Sequence, residues 1–128
     1  MVKVINPSDI VGPYGGRYSQ AVEVPAGGRT LYISGQVGQR KDGSVAEGIE
    51  AQSEQVWTNI EAILRDAGMD IPNIVKLTTY ITDMVNFPAF AAVRTRHLGD
   101  HKPASTAVAV AGLIEGFLVE VEAVAVAP

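Results

Sequence analysis

The chain has 128 residues, 47% hydrophobic and 19% charged, which suits one compact, soluble domain over residues 1–128 with a single core. Its formal net charge of -4 argues against a nucleic-acid partner, because such partners are bound mostly through Lys and Arg. The lack of cysteine excludes disulfides, thiol catalysis and thiolate metal sites. No apolar run resembles a signal peptide or approaches the roughly 18 to 20 residues of a membrane span. We therefore expect a cytoplasmic protein with no membrane partner.

The first half of the chain predicts two strands and a long helix. After a loop rich in glycine and proline, residues 19–24 and 30–37 predict strands, and the turn sequence at residues 25–28 predicts that they form a β-hairpin. From Ile49 the apolar residues recur at helical spacing as far as Ala67, and Gly68 is well placed to end the helix.

The second half predicts three more strands and a second helix. Residues 74–83 alternate as a strand that the preceding helical crossover allows to run parallel to the second strand. A helix over residues 87–98 follows, capped by Asp83 or Asn86 and ended by Gly99. A strand over residues 103–110, a turn at 112–116 and a last strand from Phe117 or Leu118 to Val126 complete the chain.

This order, β-β-α-β-α-β-β, predicts an α+β fold in which right-handed crossovers place both helices on one face of a mixed sheet. The other face must then be polar or covered by another subunit. Six apolar residues of the last two strands are assigned to that uncovered face and favour a homo-oligomer. They are Ala107, Ala109, Val119, Val121, Ala123 and Ala125.

The strand at residues 103–110 has two unlike faces, because side chains alternate across a sheet. Thr106, Val108 and Val110 are β-branched, whereas Ser105, Ala107 and Ala109 are small. The small face leaves room for another layer of protein or for a ligand.

Several side chains are candidates for chemistry. Glu120 and Glu122 share a strand face and could divide into acid and base, although a solvated edge strand explains them as well. His97 and His101 have the i, i+4 spacing of a metal pair, but Gly99 lies between them and no third ligand is evident, so no metal site is predicted. Ser105 and Thr106 lack a histidine base and are interpreted as ordinary strand residues.

Two arginines are also candidates for a functional role, and each has a purely structural interpretation as well. Arg94 interrupts the apolar side of the second helix, where a guanidinium needs a carboxylate or water. The alternative is a side chain whose stem lies on the core edge while its head reaches solvent. Arg17, in the glycine-rich loop, is equally open to either interpretation.

Six segments in order along nearly the whole chain resemble the Rid family, also called the YjgF/YER057c/UK114 family. The segments are Tyr18-Ser19-Gln20-Ala21-Val22, Leu31-Tyr32-Ile33-Ser34-Gly35-Gln36, Asn59-Ile60 with Ala62-Ile63-Leu64 and Ala67-Gly68, Ile74-Val75-Lys76, Pro103-Ala104, and Val119-Glu120-Val121-Glu122-Ala123-Val124-Ala125.

The resemblance implies a chorismate-mutase-like α+β fold and a homotrimer with a central barrel and small-molecule sites between subunits. The best-known members hydrolyse enamines and imines to 2-oxo acids and ammonia without a cofactor. Tyr18, Ser34, Gly35 and Glu120 match residues of that cleft, where the glutamate is thought to orient the attacking water. Tyr14 is a second candidate for the tyrosine, but Tyr18 is preferred because Ser-Gln-Ala-Val follows it.

The chain departs from the deaminase subgroup at Ser105, where that subgroup has an arginine that grips the substrate carboxylate. A second departure is Ala91, which stands where the subgroup has asparagine. Arg94, Arg17 or Lys102 could supply the missing cation, or the substrate carries no carboxylate at that place.

Three functions follow from the resemblance. The first is a small-molecule-binding trimer with altered or absent imine deaminase activity, whose ligand is a 2-imino or 2-oxo acid. The second is a non-catalytic metabolite-binding or chaperone-like trimer. The third is an endoribonuclease, which the acidic charge makes the least favoured.

Overall fold

A computed structural model describes residues 2–114 and 116–128. The strands are β1 (Lys3–Ile5), β2 (Ala21–Glu23), β3 (Arg29–Val37), β4 (Ile74–Ile81), β5 (Ala104–Ala109) and β6 (Val119–Ala127). The helices are α1 (Gly48–Asp66) and α2 (Phe87–Leu98), with short 3-10 turns at Tyr14–Gly16, Ile71–Asn73 and Met84–Asn86. The predicted turn at 112–116 includes residue 115, which lies outside the described residues. No helix within the described ranges is long and apolar enough to cross a membrane.

Helix α1 forms where the helical spacing of apolar residues predicts it. Val56, Ile60 and Leu64 recur on one face and are fully buried, together with Trp57. Gly68 follows the helix with a φ of 70°, a conformation that glycine adopts without strain. Both ends of the helix therefore match the prediction to within a residue or two.

Four strands form a mixed sheet in the order β3-β6-β4-β5. β4 and β5 are parallel, and β6 pairs antiparallel with both β3 and β4. Trp57 of α1 and Phe90 of α2 belong to one core cluster with Leu77 and Val121 of the sheet. Both helices consequently cover the same face, and the α+β fold with two helices on one side of a mixed sheet is confirmed.

The predicted β-hairpin of the first two strands is wrong. β2 pairs with β1, an N-terminal strand that the sequence did not predict, and the two form a separate two-stranded sheet. β3 pairs instead with β6, and both of these strands are nine residues long, whereas β2 has three residues. β3 stands at the end of the four-stranded sheet, so its nine residues form a long antiparallel ladder with β6 while the short β2 pairs with β1.

The assignment of the last strand's apolar residues to the uncovered face is also wrong. Val119, Val121, Ala123 and Ala125 are buried beneath the helices, at most 3% exposed. Side chains on the opposite face of the sheet come largely from polar residues, and they include Tyr32, Lys76, Thr78, Tyr80, Glu120 and Glu122. These apolar residues close the core of one chain, so they do not support an oligomer.

Candidate functional site

A β-bulge shapes the first group of candidate residues. Ile33 of β3 stands opposite Ala123 of β6, but the next paired residue, Gln36, stands opposite Val121. Ser34 and Gly35 therefore share the single opposite residue Glu122, and the ladder is locally interrupted. The bulge exposes backbone and side-chain groups of Ser34 on the face that no helix covers.

The Glu120 carboxylate lies directly against Gly35. A Cβ atom placed on Gly35 would stand 1.9 Å from Oε2 of Glu120 and 2.7 Å from its Cδ. The φ angle of Gly35 lies outside the left-handed region, so space and not backbone conformation requires glycine here. The half-buried Glu120 side chain therefore lies against Gly35, the residue that follows Ser34.

Glu122, the other predicted carboxylate, has a different environment. It accepts a hydrogen bond of 2.6 Å from the Tyr80 hydroxyl. That bond and the nearby negative charge raise the pKa of Tyr80 above its ordinary value. Lys76 Nζ donates to Thr106 Oγ1 at 3.0 Å on the same face. The two glutamates are therefore distinguished by their partners: among the described residues the Tyr80 hydroxyl donates to Glu122 and not to Glu120.

An open cavity of about 380 Å³ lies on this uncovered face of the sheet. Its lining joins the bulge to the polar strand residues and consists of Tyr32, Ile33, Ser34, Lys76, Thr78, Glu122, Ala123 and Val124. Ser34 thus borders a space large enough for a small metabolite.

The second group of candidates lies along the other edge of the sheet. Ser105 of β5 pairs with Leu77 of β4, which places it on the helix-covered side, half-buried. The glycine-rich loop joins this edge through a bridge between Ser19 and Ala104. Within the loop, the Tyr14 backbone N–H donates to the Tyr18 hydroxyl at 3.1 Å, so the two candidate tyrosines are in contact.

Arg17 and Arg94 border a pocket of about 330 Å³ between the loop and α2. Arg94 is half-buried, and its guanidinium lies 5.6 Å from the ring centroid of Phe87 and 5.9 Å from that of Phe90. Burial lowers the pKa of Arg94, and the charge of Arg17 lowers that pKa further. Arg17 Nη1 donates to Thr95 Oγ1 at 3.2 Å. The head of Arg94 therefore packs over aromatic rings at the pocket, beside a second guanidinium.

One chain does not bring all the predicted residues together. Ser34, Gly35 and Glu120 form one group at β3 and β6, whereas Ser105 is on β5, three strand positions from β3. At about 4.8 Å for each strand spacing, β3 and β5 are roughly 14 Å apart. Ser34 is on the uncovered face and Ser105 on the helix-covered face, so they face opposite ways.

The two histidines have separate partners. His101 Nε2 lies 2.6 Å from the Ile74 carbonyl oxygen. His97 stacks on Trp57 and contacts the carboxylates of Glu54 and Glu61 on α1. Residues 2–114 and 116–128 contain no group of three or more ionisable ligands arranged to hold a metal.

Sequence reasoning missed some of these contacts. Glu54 and Glu61 are seven residues apart on α1, a spacing that puts them on one helix face and could have indicated a shared partner. Nothing in the sequence indicated that Thr95 would bind Arg17, since 78 residues separate them.

A small α+β domain, with a four-stranded mixed sheet backed by two helices, is the class of protein that this architecture defines. The family model described as Endoribonuclease L-PSP matches residues 13–127 of the chain. The chain therefore belongs to this family, the Rid family of the resemblance described above.

Individual relatives agree with that assignment. A protein of Capra hircus named 2-iminobutanoate/2-iminopropanoate deaminase is 42% identical over 113 residues, covering 87% of this chain and 80% of the relative. A RutC family protein of Pyrococcus horikoshii is 39% identical over 112 residues, covering 86% of each chain. The crystal structure of YyfB from Yersinia pestis, described as a Rid family protein of unknown function, superposes with a TM-score of 0.87 at 32% identity, covering 98% of each chain.

Proposed function

We propose that this protein binds a small 2-imino acid and hydrolyses it to a 2-oxo acid and ammonia. The observation that carries the proposal is the contact of the Glu120 carboxylate with Gly35, the residue that follows Ser34. A carboxylate fixed in this way can accept a proton from a water molecule, and a named deaminase among the relatives shares the family.

The chemistry needs only water and the side chains of the protein. Glu120 accepts a proton as the water oxygen bonds to the imine carbon, and the C=N bond becomes a C–N single bond. The nitrogen takes this proton from the Glu120 carboxyl to give an amine. Glu120 then accepts the hydroxyl proton and passes it to the nitrogen, so that the C–N bond breaks, ammonia leaves and the C=O bond forms. Ser34 and Tyr18 position the substrate, and no cofactor takes part in this proposal.

We place the site between subunits of a homotrimer with a central barrel. Support comes from the separation of the two candidate groups, which lie on opposite faces and about 14 Å apart in one chain. A second copy is needed to bring the β5 edge of one chain to the β3 edge of another. The cytoplasmic location expected from the sequence belongs to this proposal.

The test is to generate 2-iminobutanoate in situ and follow its decay. The wild-type protein should accelerate the decay, and Glu120→Gln should abolish most of the acceleration. Glu50→Gln removes the same charge at an exposed position of α1 outside the cavity and should keep the acceleration. No acceleration by either the wild type or Ser105→Arg would contradict the proposal.

The alternative is a metabolite-binding or chaperone-like trimer without catalysis, and Ser105 favours it. A serine hydroxyl cannot reproduce the two parallel hydrogen bonds of an arginine, so in this alternative the substrate carboxylate is bound too weakly at that position for turnover. This alternative predicts saturable binding of a 2-oxo acid by calorimetry with no acceleration of imine decay.

Ribonuclease activity is suggested by the description of the family model. The net charge of -4 gives it little support, because RNA is bound largely through cations. RNA cleavage that survives stringent purification and disappears in Glu120→Ala would favour it instead.

A further inference from the structure

Within the described residues, the pocket between the glycine-rich loop and α2 holds two guanidinium groups that form no ion pair with a carboxylate within 4.0 Å. Among residues 2–114 and 116–128, the ion pairs within 4.0 Å involve Arg96 and His97, and neither Arg17 nor Arg94 takes part in one. Arginine is rarely buried without a paired charge, because removing a charge from water is costly.

Arg94 bears most of that cost. It is half-buried, its guanidinium packs over the rings of Phe87 and Phe90, and desolvation together with Arg17 disfavours its charged form. An anion bound between the two arginines would offset both the desolvation and the mutual repulsion. The electrostatic environment is therefore incomplete without a negative group.

The rest of the pocket does not neutralise this positive charge. Lys102 and Asp100 also line it, so one added cation and one added carboxylate leave the excess of two positive charges unchanged. Asp100 forms no ion pair within 4.0 Å with either arginine. The excess charge suits a small anionic ligand.

The arginines are also held in place before any ligand binds. Arg17 donates to Thr95 Oγ1, and the Thr95 hydroxyl donates to the Ala91 carbonyl oxygen at 2.9 Å in the preceding turn of α2. The aromatic rings restrict Arg94 in a similar way. Fixed donors lose less entropy on binding than free ones, which favours affinity.

The pocket also borders the segment that enters β5. Its lining includes Lys102, three residues before Ser105. A cation at this pocket is therefore close in the chain to the position where the deaminase subgroup has its carboxylate-binding arginine.

We propose that Arg17 and Arg94 form an anion-binding subsite that takes the carboxylate of a small 2-imino or 2-oxo acid, in place of a cation at residue 105. This inference rests on the proposed function, because it supplies the substrate contact that Ser105 cannot make. A guanidinium recognises a carboxylate through two parallel hydrogen bonds, so the subsite should reject uncharged analogues.

The test is calorimetry with 2-oxobutanoate and with its uncharged amide, 2-oxobutanamide, at low salt. The wild type should bind the acid about tenfold or more tightly than the amide, since hydrogen bonds to charged groups are the stronger ones. Arg94→Met and Arg17→Met should each weaken acid binding about tenfold, with little change for the amide. Arg65→Met removes an exposed arginine of α1 outside the pocket and should bind as the wild type does.

One further variant and a melting measurement keep the result decisive. Arg94→Lys retains the charge without the planar fork and should give intermediate affinity. If Arg94→Met melts at a much lower temperature than the wild type, Arg17→Met decides the question, because Arg17 is an exposed loop residue.

The subsite is overturned if Arg17→Met and Arg94→Lys both bind 2-oxobutanoate as tightly as Arg65→Met does. Turnover of 2-iminobutanoate together with that outcome would leave the proposed function standing without the subsite. Selective, arginine-dependent binding of the acid without turnover would support the subsite and contradict the hydrolytic function.

Discussion

At the scale of single residues, the contact between Gly35 and Glu120 makes a testable stability prediction. Gly35→Ala places a methyl group where the Glu120 carboxylate lies, and that carboxylate must move. Because the atoms met belong to the outer part of a half-buried glutamate side chain that can rotate away, we expect a loss of about 1 kcal/mol or less in the free energy of unfolding. Urea denaturation measures this loss.

The double variant Gly35→Ala/Glu120→Ala isolates the contact. Because Glu120→Ala removes the atoms that the new methyl group meets, the double variant should lose less stability than the sum of the single losses. Gly12→Ala is the control, since a Cβ there meets nothing within 4 Å. Strict additivity of the two changes would show that Glu120 does not lie on Gly35 in solution.

The sequence could indicate only part of this arrangement. Alternation predicted that Glu120 and Glu122 share a strand face, but it could not show that a bulge at Ser34 and Gly35 turns β3 toward Glu120. A bulge depends on the register between strands that are far apart in sequence, and local periodicity contains no such information. The sequence likewise left two interpretations of Arg94 open and did not predict its contacts with Phe87 and Phe90.

At the scale of secondary-structure elements, Glu54 joins α1 to α2. Its carboxylate lies 2.6 Å from Arg96 Nη2 and 2.9 Å from His97 Nε2. The hydrogen bond with His97, followed by the one with Arg96, lowers the pKa of Glu54. Since the pairs are partly exposed, Glu54→Gln should cost only about 1 kcal/mol of stability at pH 7.

The pH dependence follows from the sign of that pKa change. A carboxylate with a lowered pKa stabilises the fold at pH values above its unfolded pKa, and this contribution is lost as the pH falls through the lowered value. The unfolding free energies of wild type and Glu54→Gln should therefore converge below about pH 4. Glu50→Gln, an exposed change in the first turn of the same helix, is the control and should show a smaller difference from wild type. A Glu54→Gln difference that is unchanged from pH 7 to pH 3 would contradict the ionic role of Glu54.

The sequence predicts the long helices and strands better than it predicts which strands pair with one another. The helix periodicity of α1 and the alternation of β4 come from each segment's own buried face, so the sequence shows them directly. The partner of β3 is β6, which begins more than 80 residues later, and no local signal could prefer it to the nearby β2. Short strands such as Lys3–Ile5 also lack enough residues to show a period.

At the scale of the whole molecule, the two groups of candidate residues lie on opposite faces of the sheet, and this arrangement predicts that chains assemble to form a complete site. If Glu120 and Arg94 serve one substrate, the residues of a site must come from two chains, because in one chain Glu120 of β6 lies on the uncovered face of the sheet and Arg94 belongs to helix α2 on the other face. A trimer with three such interfaces would have three equivalent sites. Light scattering should then give about three times the mass of one chain.

Complementation between inactive variants tests the shared site. Glu120→Gln and Arg94→Met should each have little activity alone, whereas unfolding them together and refolding the mixture should restore some. In a mixed trimer, a site formed by Glu120 from an Arg94→Met chain and Arg94 from a Glu120→Gln chain is intact, and random assembly of equal amounts makes about a quarter of the sites intact. If both groups came from one chain, every site would keep one defect and no activity would return. Mixing the folded variants without unfolding is the control, because stable trimers exchange subunits slowly, and activity that appears only after joint refolding would require a site built across subunits.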